Sequence, residues 1–131
     1  MDLSAFGAAE LSTAIHRRAV SCREVMAAHL ARIDERNPAL NAIVSRRDPD
    51  VLLAEAAACD DELAAGTSRG WMHGMPQAIK DLADVAGMPT SSGSPLLRDV
   101  VPTADGLVVA RMRAAGALVV GKTNVPEFGL G

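Results

Sequence analysis

The first part of the chain carries apolar residues at helical spacing. Over residues 8–19 they recur at steps of three or four, which predicts an amphipathic helix. The pair Ser21 and Glu24 has the spacing of a capping box and predicts the start of a second helix. Asn37–Pro38 predicts its end, because a proline disfavours helical backbone in the residue before it. The apolar stripe of the first helix is Ala8, Leu11, Ile15 and Ala19, and that of the second is Met26, Leu30 and Ile33.

A short strand and a third helix follow. Asn41–Val44 is favoured as the strand, and Asp48–Pro49–Asp50 predicts the helix start. Gly66 predicts the helix end, and residues 66–70 are expected to form an exposed link. The expected buried face of this helix consists of Leu52, Ala56, Cys59 and Leu63.

The pattern changes from Trp71 onward. Met75–Lys80 indicates a strand, residues 83–95 a loop rich in Gly, Pro, Ser and Thr, residues 103–115 a helix, and residues 117–120 a fully apolar strand. A strand, a crossover with a helix and a second strand predict two parallel strands in a covered sheet. The expected fold class is therefore α/β, with a helical layer over residues 1–66 and a strand-loop-helix-strand segment over residues 67–131. The helix is expected to turn Val108, Val109, Met112 and Ala115 inward.

Composition narrows the classes of function. The 131 residues suffice for one domain with a core, but the chain has only Phe6, Trp71 and Phe128 as aromatic residues. Few aromatic platforms, a net charge of −3 and no basic stripe argue against nucleic acid or an anionic lipid surface as partner. No apolar run approaches the ~20 residues of a membrane span. The chain is therefore expected to be soluble and cytoplasmic.

Cysteines and histidines suggest no metal centre. Cys22 and Cys59 fall in predicted helices and form no Cys-x-x-Cys pair, so we expect buried free thiols. The histidines lack the spacing of metal ligands, and no cofactor is predicted. His29 is expected at a helix edge. The three histidines of the chain are His16, His29 and His73.

Gly116–Thr123 reads GALVVGKT and fits the P-loop pattern of nucleotide-binding proteins. A phosphate-binding loop needs a strand before its first glycine and a helix after its Lys-Thr. Here a predicted helix precedes the glycine, the middle residues form a predicted strand, and Pro126 follows closely. The P-loop interpretation is rejected on these grounds.

Two groups of polar residues allow alternative roles. Three serines surround Gly93, where turn chemistry is the favoured interpretation and a direct role in catalysis is the alternative. His73 could be a general base, but we favour its packing against the turn at Gly74. The serines are Ser91, Ser92 and Ser94.

Lys80 is the candidate catalytic residue. It ends a predicted strand, immediately before Asp81. Burying an ammonium ion is costly unless it is paired or its pKa is lowered so that it can act as a base. The residues alone leave two interpretations equally open, namely an amine that reaches solvent and a functional base.

Several segments resemble the amidase signature family. Trp71–Asp81 reads WMHGMPQAIKD, similar to the family's Leu-His-Gly-Val-Pro-Ile-Ala-Val-Lys-Asp pattern. Asp84–Ser94 resembles its Gly-x-x-Thr-Thr-x-Gly-Ser loop, and Asp105–Gly129 resembles the following stretch with Gly-Lys-Thr-Asn and Pro-Glu-Phe-Gly. Asn37–Ala42 resembles the N-terminal layer. The likeness covers essentially the whole chain.

The resemblance implies a mechanism and an incomplete site. The family hydrolyses carboxamides with a serine, a second serine in a cis peptide, and a lysine that matches Lys80. A free lysine with pKa ~10.4 is neutral in about one molecule of two thousand at pH 7, so we expect Lys80 in a dry pocket. The family's serines and oxyanion donors lie in a Gly- and Ser-rich segment after Pro-Glu-Phe-Gly, which residues 1–131 do not include. We therefore expect the first βαβ part of a mixed-sheet amidase signature fold, marginally stable and inactive alone.

Three functions are compatible with the sequence. The first is an amidohydrolase for a small-molecule amide, favoured because Leu82–Gly87 resembles the stand-alone amidases. The second is the amidase-like component of an aminoacyl-tRNA amidotransferase, and the third is a non-catalytic α/β module that binds a partner through an exposed strand edge. Expected protein partners are a second copy of the chain or the missing C-terminal part of the same enzyme.

Overall fold

The computed structural model describes residues 2–131. Four helices and three strands make up its regular structure, and three short 3₁₀ turns lie at Leu3–Ala5, Pro95–Leu97 and Glu127–Gly129. In chain order the elements are α1 (Ala8–His16), α2 (Cys22–Leu40), β1 (Ile43–Arg46), α3 (Pro49–Ala64), β2 (Pro76–Lys80), α4 (Leu107–Ala114) and β3 (Leu118–Thr123).

The sheet has the order β1-β3-β2. Strands β2 and β3 are parallel, with Lys80 opposite Thr123, which confirms the predicted βαβ unit. Strand β1 pairs antiparallel with β3, so the fold is mixed α/β. Because β1 belongs to the sheet, residues 1–66 supply a strand as well as the helical layer.

Strand β3 is the centre of the molecule because apolar clusters cover both of its faces. The larger cluster joins Val120 to side chains of α1, α2 and α3. The smaller cluster joins Val119 to Ile79 of β2 and Val109 of α4. The predicted apolar strand is confirmed, and it extends to Thr123.

Helix α2 begins as predicted and ends later than predicted. Ser21 Oγ accepts a hydrogen bond from Glu24 N at 3.0 Å, and Ser21 N donates to the Glu24 carboxylate at 2.8 Å, which confirms the capping box. The predicted end at Asn37–Pro38 is wrong, since the helix continues to Leu40. Proline removes one backbone donor here, in the last turn only, and Asn41 then ends the helix in a left-handed conformation with φ 47°.

The crossover helix is shorter than predicted. Helix α4 begins at Leu107, because the side chain of Asp105 accepts a hydrogen bond from Ala86 N at 2.8 Å and Gly106 takes the N-cap position. The expected inward position of Val108 is wrong, since its side chain is 62% exposed, whereas Val109 is fully buried.

The front helices match the pattern with smaller corrections. Helix α1 ends at His16, so Ala19 is exposed beyond it and Val20 is buried instead. The side chain of Asp48 caps α3 by accepting hydrogen bonds from Asp50 N and Val51 N. No helix within residues 2–131 is long and apolar enough to cross a membrane.

Candidate active site

The candidate site lies at the carboxyl ends of the two parallel strands. Lys80 ends β2, and Thr123 opposite it ends β3. The carboxyl edge of parallel strands is the usual place for ligand-binding groups in α/β proteins. Here the loop after β2 meets residues 124–129, which follow β3.

The Lys80 side chain is exposed. Ile79 beside it is buried in the smaller cluster, and strand alternation turns Lys80 to the opposite face. Within residues 2–131 the Lys80 ammonium makes neither a hydrogen bond nor an ion pair. The described residues do not form the expected dry pocket, because β2 is an edge strand and none of them covers its last side chain. The pocket therefore stays a prediction for the rest of the amidase fold.

A second lysine holds the buried position. Lys122 of β3 is 0% exposed and pairs with Asp81, with 2.9 Å between Nζ and Oδ1. Its Nζ also donates to Pro89 O at 3.0 Å and to Thr90 Oγ1 at 3.1 Å. An ammonium ion has three protons, so each of them has an acceptor.

The Asp81 carboxylate fixes the following loop as well. It accepts hydrogen bonds from the backbone N–H and the hydroxyl of Ser91. The backbone of Asp81 donates to Thr123 O at 3.2 Å and accepts from Ser92 N at 3.0 Å. The residue directly after Lys80 is therefore held through both its side chain and its peptide groups.

The two loops at this edge interlock. Phe128 N donates to Ser92 O at 2.7 Å, and Ser94 Oγ donates to Glu127 Oε1 at 2.7 Å. Gly93 lies against the second loop, where a Cβ atom would come within 2.5 Å of Val125 O.

Turn chemistry is confirmed for Ser91 and Ser94, whose hydroxyls accept hydrogen bonds from nearby backbone N–H groups. Ser91 Oγ accepts from Gly93 N at 3.2 Å, and Gly93 has a φ of +69°. The hydroxyls of Ser91 and Ser94 also donate hydrogen bonds to the carboxylates of Asp81 and Glu127. Ser92 also takes a left-handed conformation, with φ 51°.

His73 serves the turn before β2, as predicted. It is fully buried, its Nδ1 accepts from Arg69 N at 3.0 Å, and its Nε2 lies 2.9 Å from Cys59 O. This pattern requires the tautomer with the proton on Nε2, which leaves no ring nitrogen free to act as a base.

His73 also belongs to a group of three possible metal ligands. Ligand atoms of Cys59, Glu62 and His73 lie within 4.8 Å of one another. They already have other roles: the Glu62 carboxylate pairs with Arg69, and the resulting hydrogen bond lowers the pKa of Glu62. Burial raises the pKa of the Cys59 thiol, which disfavours the thiolate that a metal requires.

The P-loop pattern forms no phosphate-binding loop. Leu118–Thr123 is strand β3, and the Lys122 ammonium is buried against Asp81. The rejection on sequence grounds is confirmed by this geometry.

Comparison with known proteins assigns the family. A family model described as Amidase matches residues 24–131. The chain belongs to the amidase signature family. It is 43% identical over 130 residues to the A subunit of glutamyl-tRNA(Gln) amidotransferase from Acidothermus cellulolyticus, covering 99% of this chain and 26% of that protein. It is 38% identical over 128 residues to an acylamidase of Rhodococcus erythropolis, covering 98% of this chain and 27% of that one.

Solved structures of the family share its architecture. Native peptide amidase from Stenotrophomonas maltophilia matches with a TM-score of 0.83 and 37% identity, over 95% of this chain and 26% of that one. The chain therefore spans about a quarter of the length of its amidase relatives.

Proposed function

We propose that Lys80 is the proton-transferring base of an amidase that hydrolyses a small carboxamide, in a protein that combines this chain with the rest of the amidase fold. The observation that carries the proposal is the position of Lys80: its side chain leaves the carboxyl end of β2, and the next residue is fixed by buried bonds. Relatives described as acylamidase and peptide amidase support the reaction class.

The chemistry uses two hydroxyls from outside residues 1–131. The neutral Lys80 amine takes a proton from a bridging serine hydroxyl, which takes one from the nucleophilic serine as its oxygen bonds to the amide carbon. Backbone N–H groups stabilise the oxyanion. The C–N bond then breaks, and the relay returns a proton to the departing nitrogen. Water attacks the acyl-enzyme through the same relay, releases the carboxylate and restores the serine.

The neutral amine requires a cover that residues 2–131 do not provide. Burial disfavours the charged form of an amine, whereas an exposed ammonium ion keeps its hydration. Several apolar side chains near the candidate site are also exposed, as expected of a surface that packs against further structure. We infer that the rest of the amidase fold covers Lys80, and that this chain alone is inactive. The exposed side chains are Leu82, Leu96, Val100, Val101, Phe128 and Leu130.

The test is the substitution Lys80→Ala in the full-length protein. Ammonia released from a small carboxamide should fall by at least about a thousandfold, as when other members of a catalytic triad are removed. The matched control is Arg98→Ala, which removes another exposed cation from the segment between β2 and α4. Activity of Lys80→Ala close to wild type would end the proposal.

A second candidate is the amidase-like component of a glutamyl-tRNA(Gln) amidotransferase, favoured by the 43% identity to such a protein. The two candidates share Lys80 and differ in partners. Hydrolysis of small carboxamides by the purified full-length protein alone favours the amidase. Glutamine-dependent amidation of glutamyl-tRNA that requires added partner proteins favours the amidotransferase.

A further inference from the structure

We propose that the buried pair of Asp81 and Lys122 is a positioning device that aims the Lys80 amine, with Ser91 as its third member. The inference rests on the proposed function, because it assigns the support of the same base. Neither Asp81 nor Lys122 contacts substrate in this account, so both are positioning residues.

The burial of the pair is the first observation. Exposure of the Lys122 and Asp81 side chains is 0% and 4%, and every proton of the ammonium has an acceptor. A buried ion pair adds little stability compared with apolar side chains of the same volume, because both charges lose their hydration. It does fix direction, since its hydrogen bonds hold only in one geometry.

The second observation is how closely the pair connects to Lys80. Asp81 follows Lys80 directly, and its carboxylate is bound from β3 by Lys122 and from the loop by Ser91. Its peptide groups bond to Thr123 and Ser92. The chain at the end of β2 therefore cannot rotate without breaking buried bonds, whereas the Lys80 side chain stays free to meet its partners.

The third observation is that one ammonium ion holds two parts of the chain. Lys122 lies opposite Ile79 in the parallel register, one position before the pair of Lys80 and Thr123. Its bonds to Pro89 and Thr90 tie the loop to the same edge. Loss of the pair should therefore move Lys80 relative to groups that the rest of the fold supplies.

The experiment uses two variants of the full-length protein. Asp81→Asn alone would leave a buried ammonium ion without its carboxylate and would lower stability, so the first variant is the double substitution Asp81→Asn/Lys122→Met, which removes both charges. The second is Ser91→Ala, which keeps the ion pair and removes one hydroxyl. Asp99→Asn is the control, because Asp99 belongs to an ion pair in which both side chains are highly exposed.

We expect kcat to fall about tenfold to a hundredfold in the double variant, the range produced by ~1 Å misplacement of a reacting group, and less in Ser91→Ala. KM for a small carboxamide should stay within about threefold, since neither residue binds substrate. Acetic anhydride labelling, read by mass spectrometry, should show a changed rate at Lys80 in folded protein. Asp99→Asn should match wild type in kcat, in KM and in the labelling rate of Lys80.

The outcomes separate this inference from the proposed function. If Lys80→Ala is inactive while the double variant and Ser91→Ala keep wild-type kcat, the positioning role is wrong and the base stands. If kcat falls only in proportion to the folded fraction, with unchanged labelling of Lys80, the pair is merely structural and the inference is also overturned. If Lys80→Ala remains active, or if wild type hydrolyses no carboxamide, the proposed function and the positioning role are both wrong.

Discussion

At the scale of single residues, Gly93 and Gly66 both adopt left-handed backbone but differ in surroundings. A Cβ atom at Gly93 would meet Val125 O at 2.5 Å, whereas nothing lies within 4 Å of one at Gly66. Comparing alanine substitutions at the two glycines therefore separates the cost of left-handed backbone from the cost of a clash between the two loops.

We predict that Gly66→Ala lowers the free energy of unfolding by about 1–2 kcal/mol, the cost of left-handed backbone in a residue with a side chain. Gly93→Ala should cost clearly more, because the loop must also move away from residues that follow β3. Urea unfolding followed by circular dichroism measures both. Equal losses would show that the loops do not pack as the structure has them.

A buried thiol gives the molecule a pH dependence at the alkaline end. Burial, followed by the charge of Asp60, raises the pKa of Cys22 from 9.0 to about 12. The folded state keeps this proton after the unfolded state has lost it. The contribution of Cys22 to stability is thus complete below about pH 9 and is lost as the pH rises through the folded pKa of about 12.

We therefore predict that stability falls between pH 9 and 11, and that Cys22→Ala reduces the slope of this fall. Thermal unfolding over that range measures the slope for the two proteins. A parallel fall in both would assign the alkaline loss to other groups. Dithionitrobenzoate should also react with Cys22 only after unfolding, because the neutral buried thiol is a poor nucleophile.

At the scale of elements, local signals located the helices best. The capping box at Ser21 and the N-cap at Asp48 could be predicted because they depend on residues within one turn. The parallel pairing of β2 and β3 followed from the order of the elements. The late end of α2 could not be predicted, because it depends on the side chain of Asn37 bonding to both peptide groups of Ile43 in the next strand.

The capping box offers a prediction at this scale. Ser21→Ala removes the acceptor for Glu24 N and should cost about 1 kcal/mol of stability, as at other N-caps. Ser21→Asp restores an acceptor and should recover most of the loss. The midpoints of urea unfolding are compared between wild type, Ser21→Ala and Ser21→Asp. An unchanged midpoint in Ser21→Ala would contradict a role for the cap.

The candidate site was predicted only in part. Lys80 stood out because its motif is local, but the partner of Asp81 lies 41 positions away, and its identity depends on the parallel register. A signal was present: Lys122 extends a fully apolar strand, and a lysine there needs a buried acceptor. The exposure of Lys80 could not be inferred, since it depends on which residues cover the edge strand.

At the scale of the whole molecule, helices cover one face of the sheet, whereas the carboxyl edge of its parallel strands is exposed. The larger apolar cluster binds the helices to one face of the sheet. At the carboxyl edge, β2 has an unpaired side, Lys80 is exposed, and the loops present apolar side chains to solvent. The chain spans 26% of the length of the peptide amidase from Stenotrophomonas maltophilia, and the exposed carboxyl edge is where we propose that further structure packs.

Rescue of Lys80→Ala by added alkylamines in the full-length protein tests whether Lys80 is the proton-transferring base. Removal of the side chain leaves space where a small amine can bind and take the same proton. We predict that hydrolysis of a small carboxamide is lost in Lys80→Ala and partly returns with methylamine or ethylamine, in proportion to the concentration of the neutral amine. Full activity of Lys80→Ala without any added amine would contradict the role of Lys80 as the base.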